Sequence, residues 1–132
     1  AETMAQKAKG LSYRDSLDKD SAMYFDFGKE SDQVFWMMGM RFPIDIIWIK
    51  NNMVVGIEKN AQAPMAGTPE NALKRYYSPE AVDPVRSRPA EGSATATSGR
   101  PASNGVDKVL EINAGLSDEL GIKVGDYFGI IN

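Results

Sequence analysis

Four side chains carry most of the chemistry this sequence could perform: Arg14, Trp36, Asp45 and Glu111. Asp45 interrupts an apolar run, Ile44-Asp45-Ile46-Ile47-Trp48-Ile49, and Glu111 stands between Leu110 and Ile112. A carboxylate among isoleucines is costly unless it is paired or hydrogen-bonded. Arg14 is the expected partner of Asp45, because its planar guanidinium suits a carboxylate. Such a pair either ties the first loop to the central hairpin as a buried strut, the role expected here, or lines a small polar pocket where Arg14 meets an anion. Glu111 is expected at a sheet edge, facing water. Placed beside Asp45, it would instead give two carboxylates with pKa values pushed apart for acid–base work. Trp36 belongs to the run Phe35 to Phe42, which reads as core, since methionine fills irregular gaps and aromatic rings bury large areas. The other reading makes Trp36 or Trp48 an exposed platform for a sugar ring.

Composition narrows these choices. The 132 residues contain no His and no Cys. Ser-His-Asp, Cys-His and zinc-hydrolase mechanisms therefore cannot be built within this chain, nor can disulfides or thiolate metal sites. Asp18, Asp20 and Asp26 lack the glycine and terminal glutamate of an EF-hand loop and read as a solvated acidic segment. Gly115, Gly121 and Gly125 match no phosphate-binding fingerprint. No cofactor and no metal are expected. A formal net charge of −3 argues against a nucleic-acid partner, which normally demands a basic face. No apolar stretch approaches the ~20 residues needed to span a bilayer, so membrane insertion is not expected.

The elements that must position these side chains are mostly strands. Thr3 to Gln6 fits a capping box opening a short helix, with Met4, Ala8 and Leu11 at helical spacing and Gly10 as its stop. Alternation over Ala22–Phe27 predicts a strand, followed by a polar turn over Gly28–Gln33. Val34–Met38 is apolar on alternate positions of both parities and predicts a strand buried on both faces. Ile44–Ile49 and Met53–Ile57, joined by Lys50-Asn51-Asn52, predict a hairpin, because Asn tolerates the left-handed conformation of tight turns. By alternation Asp45 shares a face with Ile47 and Ile49, and Ile44, Ile46 and Trp48 take the other. Tyr76-Tyr77 begins a short strand, and Lys108–Ile112 makes another. Leu116–Leu120 forms one helical turn stopped by Gly121, and Tyr127–Ile131 a closing strand. Residues 80–105, rich in Pro, Gly, Ser, Ala and Thr, are expected to be a disordered insert within one domain spanning 1–132. Arg86, Arg88 and Arg100 within it are too spread for a nucleic-acid arm. The expected fold is mainly β, a small antiparallel sandwich or partly open barrel, with one short N-terminal helix and one helical turn near the C-terminus.

Several segments together resemble family 192 of the domains of unknown function. They are Gly10-Leu11-Ser12-Tyr13-Arg14, Ala22-Met23-Tyr24-Phe25, Phe35-Trp36-Met37 with Pro43-Ile44-Asp45-Ile46-Ile47, and Leu110-Glu111-Ile112 with Ala114-Gly115 and Gly121 to Asp126. The likeness runs over about residues 3–64 and 106–128, and the Trp-Met plus Pro-Ile-Asp-Ile-Ile stretch is its most specific part. It implies a compact, jelly-roll-like β fold, bacterial or archaeal origin and frequent export to the periplasm or beyond; it implies no activity. Two departures stand out: a first strand expected near Ala1 is missing or cut short, and the long insert replaces a short loop.

Taken together, the residues favour a monomeric, non-catalytic accessory or binding module for a small ligand or a protein partner, with Arg14, Trp36, Asp45 and Glu111 as candidate contacts. A carboxylate-dependent hydrolase or lyase, using Asp45 and Glu111 with Arg14 as electrostatic stabiliser, is the second reading. An interaction scaffold presenting the 80–105 segment is the third.

Overall fold

The computed structural model describes residues 4–79 and 105–129. The chain order is α1 (Met4–Lys9), β1 (Met23–Ser31), β2 (Val34–Trp36), β3 (Ile44–Lys50), β4 (Met53–Ala61), a 3-10 turn (Glu70–Ala72), β5 (Arg75–Tyr77), β6 (Val106–Asn113) and α2 (Leu116–Glu119). The expectations for Thr3 as a cap, for a disordered insert over 80–105 and for Ile130 and Ile131 fall wholly or largely outside the described residues.

The strongest β pattern builds the centre. β3 and β4 form the expected hairpin, with Lys50 opposite Met53 and a two-residue turn between them. Asn51 and Asn52 both take positive φ, 51° and 62°, which suits the right-handed twist of the strands. β6 pairs antiparallel with the other side of β3, and β1 pairs with β6, giving the order β1-β6-β3-β4. Every residue from Ile44 to Ile49 is buried, so this strand needs cover on both faces. Fully burying an isoleucine contributes roughly 1.5–3 kcal/mol relative to leaving it exposed.

The two covers differ. Ile44, Ile46 and Trp48 face a core with Leu11, Phe25, Met37, Tyr76 and Val109. The separate two-stranded sheet of β2 and β5 closes this side, Phe35 standing edge-on to Phe25 at 5.1 Å and to Trp48 at 5.5 Å. Ile47, Ile49, Val54 and Ile112 face the other way, under Leu116, Ile122 and Phe128 from α2 and the segment after it. α2 ends as its glycine suggests: Gly121 (φ 69°) donates to the Asp118 carbonyl and Ile122 to that of Ser117. The result is the mainly β, antiparallel architecture expected, with two sheets and no closed barrel.

Three local expectations are corrected. β1 does not stop at Phe27 but runs to Ser31, because Gly28 (φ 78°) carries it through an irregularity instead of turning it, with the Gly28 amide donating to the Asp26 carboxylate. β2 ends at Trp36 and is not buried on both faces, since it lies in the smaller sheet and exposes Val34. Tyr127 makes a single bridge to Met53 rather than opening a strand among the described residues.

Candidate functional site

Alternation along β3 places Asp45 on the side of Ile47 and Ile49, as the sequence predicts. The pairing with Arg14 does not form. Asp45 is completely buried, and its carboxylate collects donors from two other parts of the chain. The Asn60 amide donates to Oδ1 at 2.8 Å and the Gly115 amide to the same oxygen at 3.3 Å. The Ser117 amide and hydroxyl donate to Oδ2 at 3.0 and 2.5 Å. Asn60 bends β4 toward it with φ 57°, and Gly115 (φ 88°) turns the chain into α2. Burial by itself would raise the carboxyl pKa. The hydrogen bonds from the Ser117 hydroxyl and from the amides of Asn60, Ser117 and Gly115 outweigh it and hold the group below its ordinary value. A serine hydroxyl and three backbone amides stand where an arginine was expected. Arg14 lies exposed in the loop after α1.

Glu111 is not an edge residue. β6 runs between β1 and β3, and Glu111, 6% exposed, sits between Met23 and Ile46. Its neighbour across the first loop is Gly10, where an added Cβ would lie 3.6 Å from Oε2. That oxygen is buried and has no hydrogen-bond partner. Desolvation pushes the carboxyl up to about 8.

The register then decides the carboxylate dyad. Ile46 lies opposite Glu111, and Asp45 opposite Ile112. Residues directly opposite one another in an antiparallel pair share a face, and successive residues alternate. Asp45 and Glu111 therefore point to opposite sides of the sheet. No common substrate atom can lie between them, and acid–base work by this pair is ruled out.

Trp48 is 2% exposed and offers no platform for a sugar ring. Trp36 differs. It projects from the outward side of the small sheet, half-buried, with the Arg75 guanidinium 4.6 Å from its ring centre. Val34 faces Tyr77, and Trp36 faces Arg75, so these four share one face, while Phe35 and Tyr76 turn inward. Val34 and Tyr77 are 48% and 58% exposed. The sequence marks Tyr76-Tyr77 as a strand, but nothing in its linear pattern says that this strand pairs with β2. Arg75 and Tyr77 were therefore missed as neighbours of Trp36.

Among the described residues no three acidic side chains gather where a metal ion could be held. No helix there is long and apolar enough to cross a membrane.

Comparisons with known proteins agree with this architecture. The model of family 192 of the domains of unknown function, described as an uncharacterised ACR, matches residues 1–130. A crystal structure of a protein of unknown function from Novosphingobium aromaticivorans is similar with a TM-score of 0.64 and 29% identity, over 95% of this chain and 68% of that one. A Sinorhizobium meliloti protein, provisionally described as a transcription regulator, is similar with a TM-score of 0.64 and 26% identity, over 95% and 74%. No curated protein matches the chain.

Proposed function

The chain belongs to family 192 of the domains of unknown function, and from the surface this fold presents here we propose that it is a non-catalytic binding module for a protein partner. The contact surface is the outward face of β2 and β5. One observation carries the reading: Trp36, Arg75, Tyr77 and Val34 stand together on a short sheet whose other face is committed to the core. Trp, Tyr and Arg are the residue types that dominate the energetics of protein interfaces. A guanidinium stacked on indole is held in place, so it loses less freedom on meeting a carboxylate. The fitting partner is a segment with acidic residues beside apolar ones. The opposed, enclosed positions of Asp45 and Glu111 support a role without catalysis. The acidic balance of the chain, −3 overall, supports protein rather than DNA as the partner of this surface.

Acrylamide quenching tests this directly, because Trp48 is enclosed and the quenchable emission belongs to Trp36. A peptide alternating Glu with Leu should protect Trp36, and its Lys-for-Glu counterpart should not. Arg75→Ala should weaken the protection by about tenfold, the loss expected for one charge-assisted contact. Protection by oligosaccharides instead of acidic peptide would move the surface to the sugar-stacking reading. Equal protection by both peptides would remove the role of Arg75.

A further inference from the structure

β5 carries the proposed contact face on one side and turns Tyr76 to the other, where a concavity of about 350 Å³ opens. It lies between the end of β4, the 62–74 loop and β5, with Met37 and Tyr76 as its apolar base. Small-molecule pockets run to about 300–1,000 Å³, so this one suits a small ligand. Three charged residues line it, Glu58, Lys59 and Lys74, and Lys59 is already paired with Asp118 at 2.6 Å. Glu58 and Lys74 do not pair with each other: among the described residues neither has an ion pair, and the half-buried Glu58 side chain makes no hydrogen bond. Glu58 lies opposite Ile46 on the sheet face that looks toward the small sheet. The Lys74 ammonium rests 5.0 Å over the ring of Tyr76. Among the described residues no hydrogen bond uses the hydroxyl of Tyr76, which is only 7% exposed. The wall beside Glu58 is held in place from behind, since the Asn60 amide is fixed on Asp45.

A ligand that matches this lining must carry both signs of charge. We propose that the cleft is a binding site for a small zwitterion, whose ammonium meets Glu58 and whose carboxylate meets Lys74 and the Tyr76 hydroxyl. A short aliphatic body would lie over Met37 and the Tyr76 ring. A ligand with one charge would leave either the carboxylate or the ammonium of the cleft desolvated and unpaired, which is the basis of selection. The site does not depend on the outward face of β2 and β5, whose residues point away from it.

Thermal shift and ¹⁵N-resolved NMR of the whole chain provide the test, with L-leucine and 6-aminohexanoate as zwitterions and hexanoate and hexylamine as singly charged controls. Saturating amounts of at least one zwitterion should raise Tm by about 4 °C and move the amide signals of Glu58, Lys74 and Tyr76. The controls should do neither. Glu58→Gln and Lys74→Met, both at the surface of the cleft, should each weaken that binding about tenfold or more while leaving the remaining spectrum intact. Trp36→Ala should leave it unchanged, which separates this site from the protein-contact surface. No response to either zwitterion, equal responses to a control, or binding that survives both charge variants would overturn the proposal.

Discussion

Asp45 and Glu111 occupy adjacent strands, one register step apart, and both are almost wholly withdrawn from water. They differ in what meets them. Asp45 receives four hydrogen bonds and is held ionised, below the ordinary carboxylate value. Glu111 leaves Oε2 without a donor and is pushed up to about 8, so it is largely protonated at neutral pH. The difference teaches that burial alone does not set the state of a carboxyl group. The supply of donors does, and here the donors come from the end of β4 and the turn into α2, on one face of the sheet. The same contrast removes the appearance of an active site, because two acids with well-separated pKa values need a shared cavity before they can share a proton.

Loss of the Asp45 carboxylate carries the largest expected effect. Asp45→Ala should destabilise the fold by about 3–5 kcal/mol in urea denaturation, since the amides of Asn60, Gly115 and Ser117 all lose their acceptor. Wild-type stability should also fall in acid, because a depressed carboxyl contributes stability above its ordinary value of 3.8 that is lost as it protonates.

Glu111 should behave in the opposite sense. Between its ordinary value of 4.5 and about 8 the folded chain keeps a proton that the unfolded chain releases. Stability therefore falls as pH rises through this window and levels off above it. Glu111→Gln should flatten that slope and at mildly alkaline pH match or exceed the wild type, by about 1–3 kcal/mol, the cost of an unsatisfied buried polar group. Denaturation midpoints measured on both chains across the window provide the check.

Smaller changes sharpen the contrast. Ser117→Ala deletes the shortest hydrogen bond to Asp45 and should cost about 1–2 kcal/mol, with the acid transition moving toward higher pH. Arg14→Ala should change stability by less than about 0.5 kcal/mol, as expected of an exposed side chain away from such contacts. A loss near that of Asp45→Ala would restore the arginine to a structural role.

Much of the frame was legible in the residues. The run Ile44–Ile49 and the Asn51-Asn52 turn sufficed for the hairpin, because a period of two and a left-handed turn are local properties. The face of Asp45 followed from the same period. Its partners did not. They are backbone amides 15, 70 and 72 residues away, which have no residue type to read, and the Ser117 hydroxyl, whose approach no local pattern gives. Searching for a side-chain cation led to Arg14. Glu111 was misplaced for a related reason: Leu-Glu-Ile reads alike at an edge and at a centre, and only pairing with both β1 and β3 tells them apart. The surface around Trp36 stayed hidden until β2 and β5 came together across the whole central hairpin.

At neutral pH these neighbouring acids differ in charge, Asp45 ionised and Glu111 largely neutral. Carboxyl ¹³C NMR, following Asp45 Cγ and Glu111 Cδ from acid to mildly alkaline pH, tests it most directly. Asp45 should stay ionised to below its ordinary value, and Glu111 should titrate near 8. Two ordinary carboxyl titrations, or a coupled pair in which each acid feels the other ionise, would contradict it.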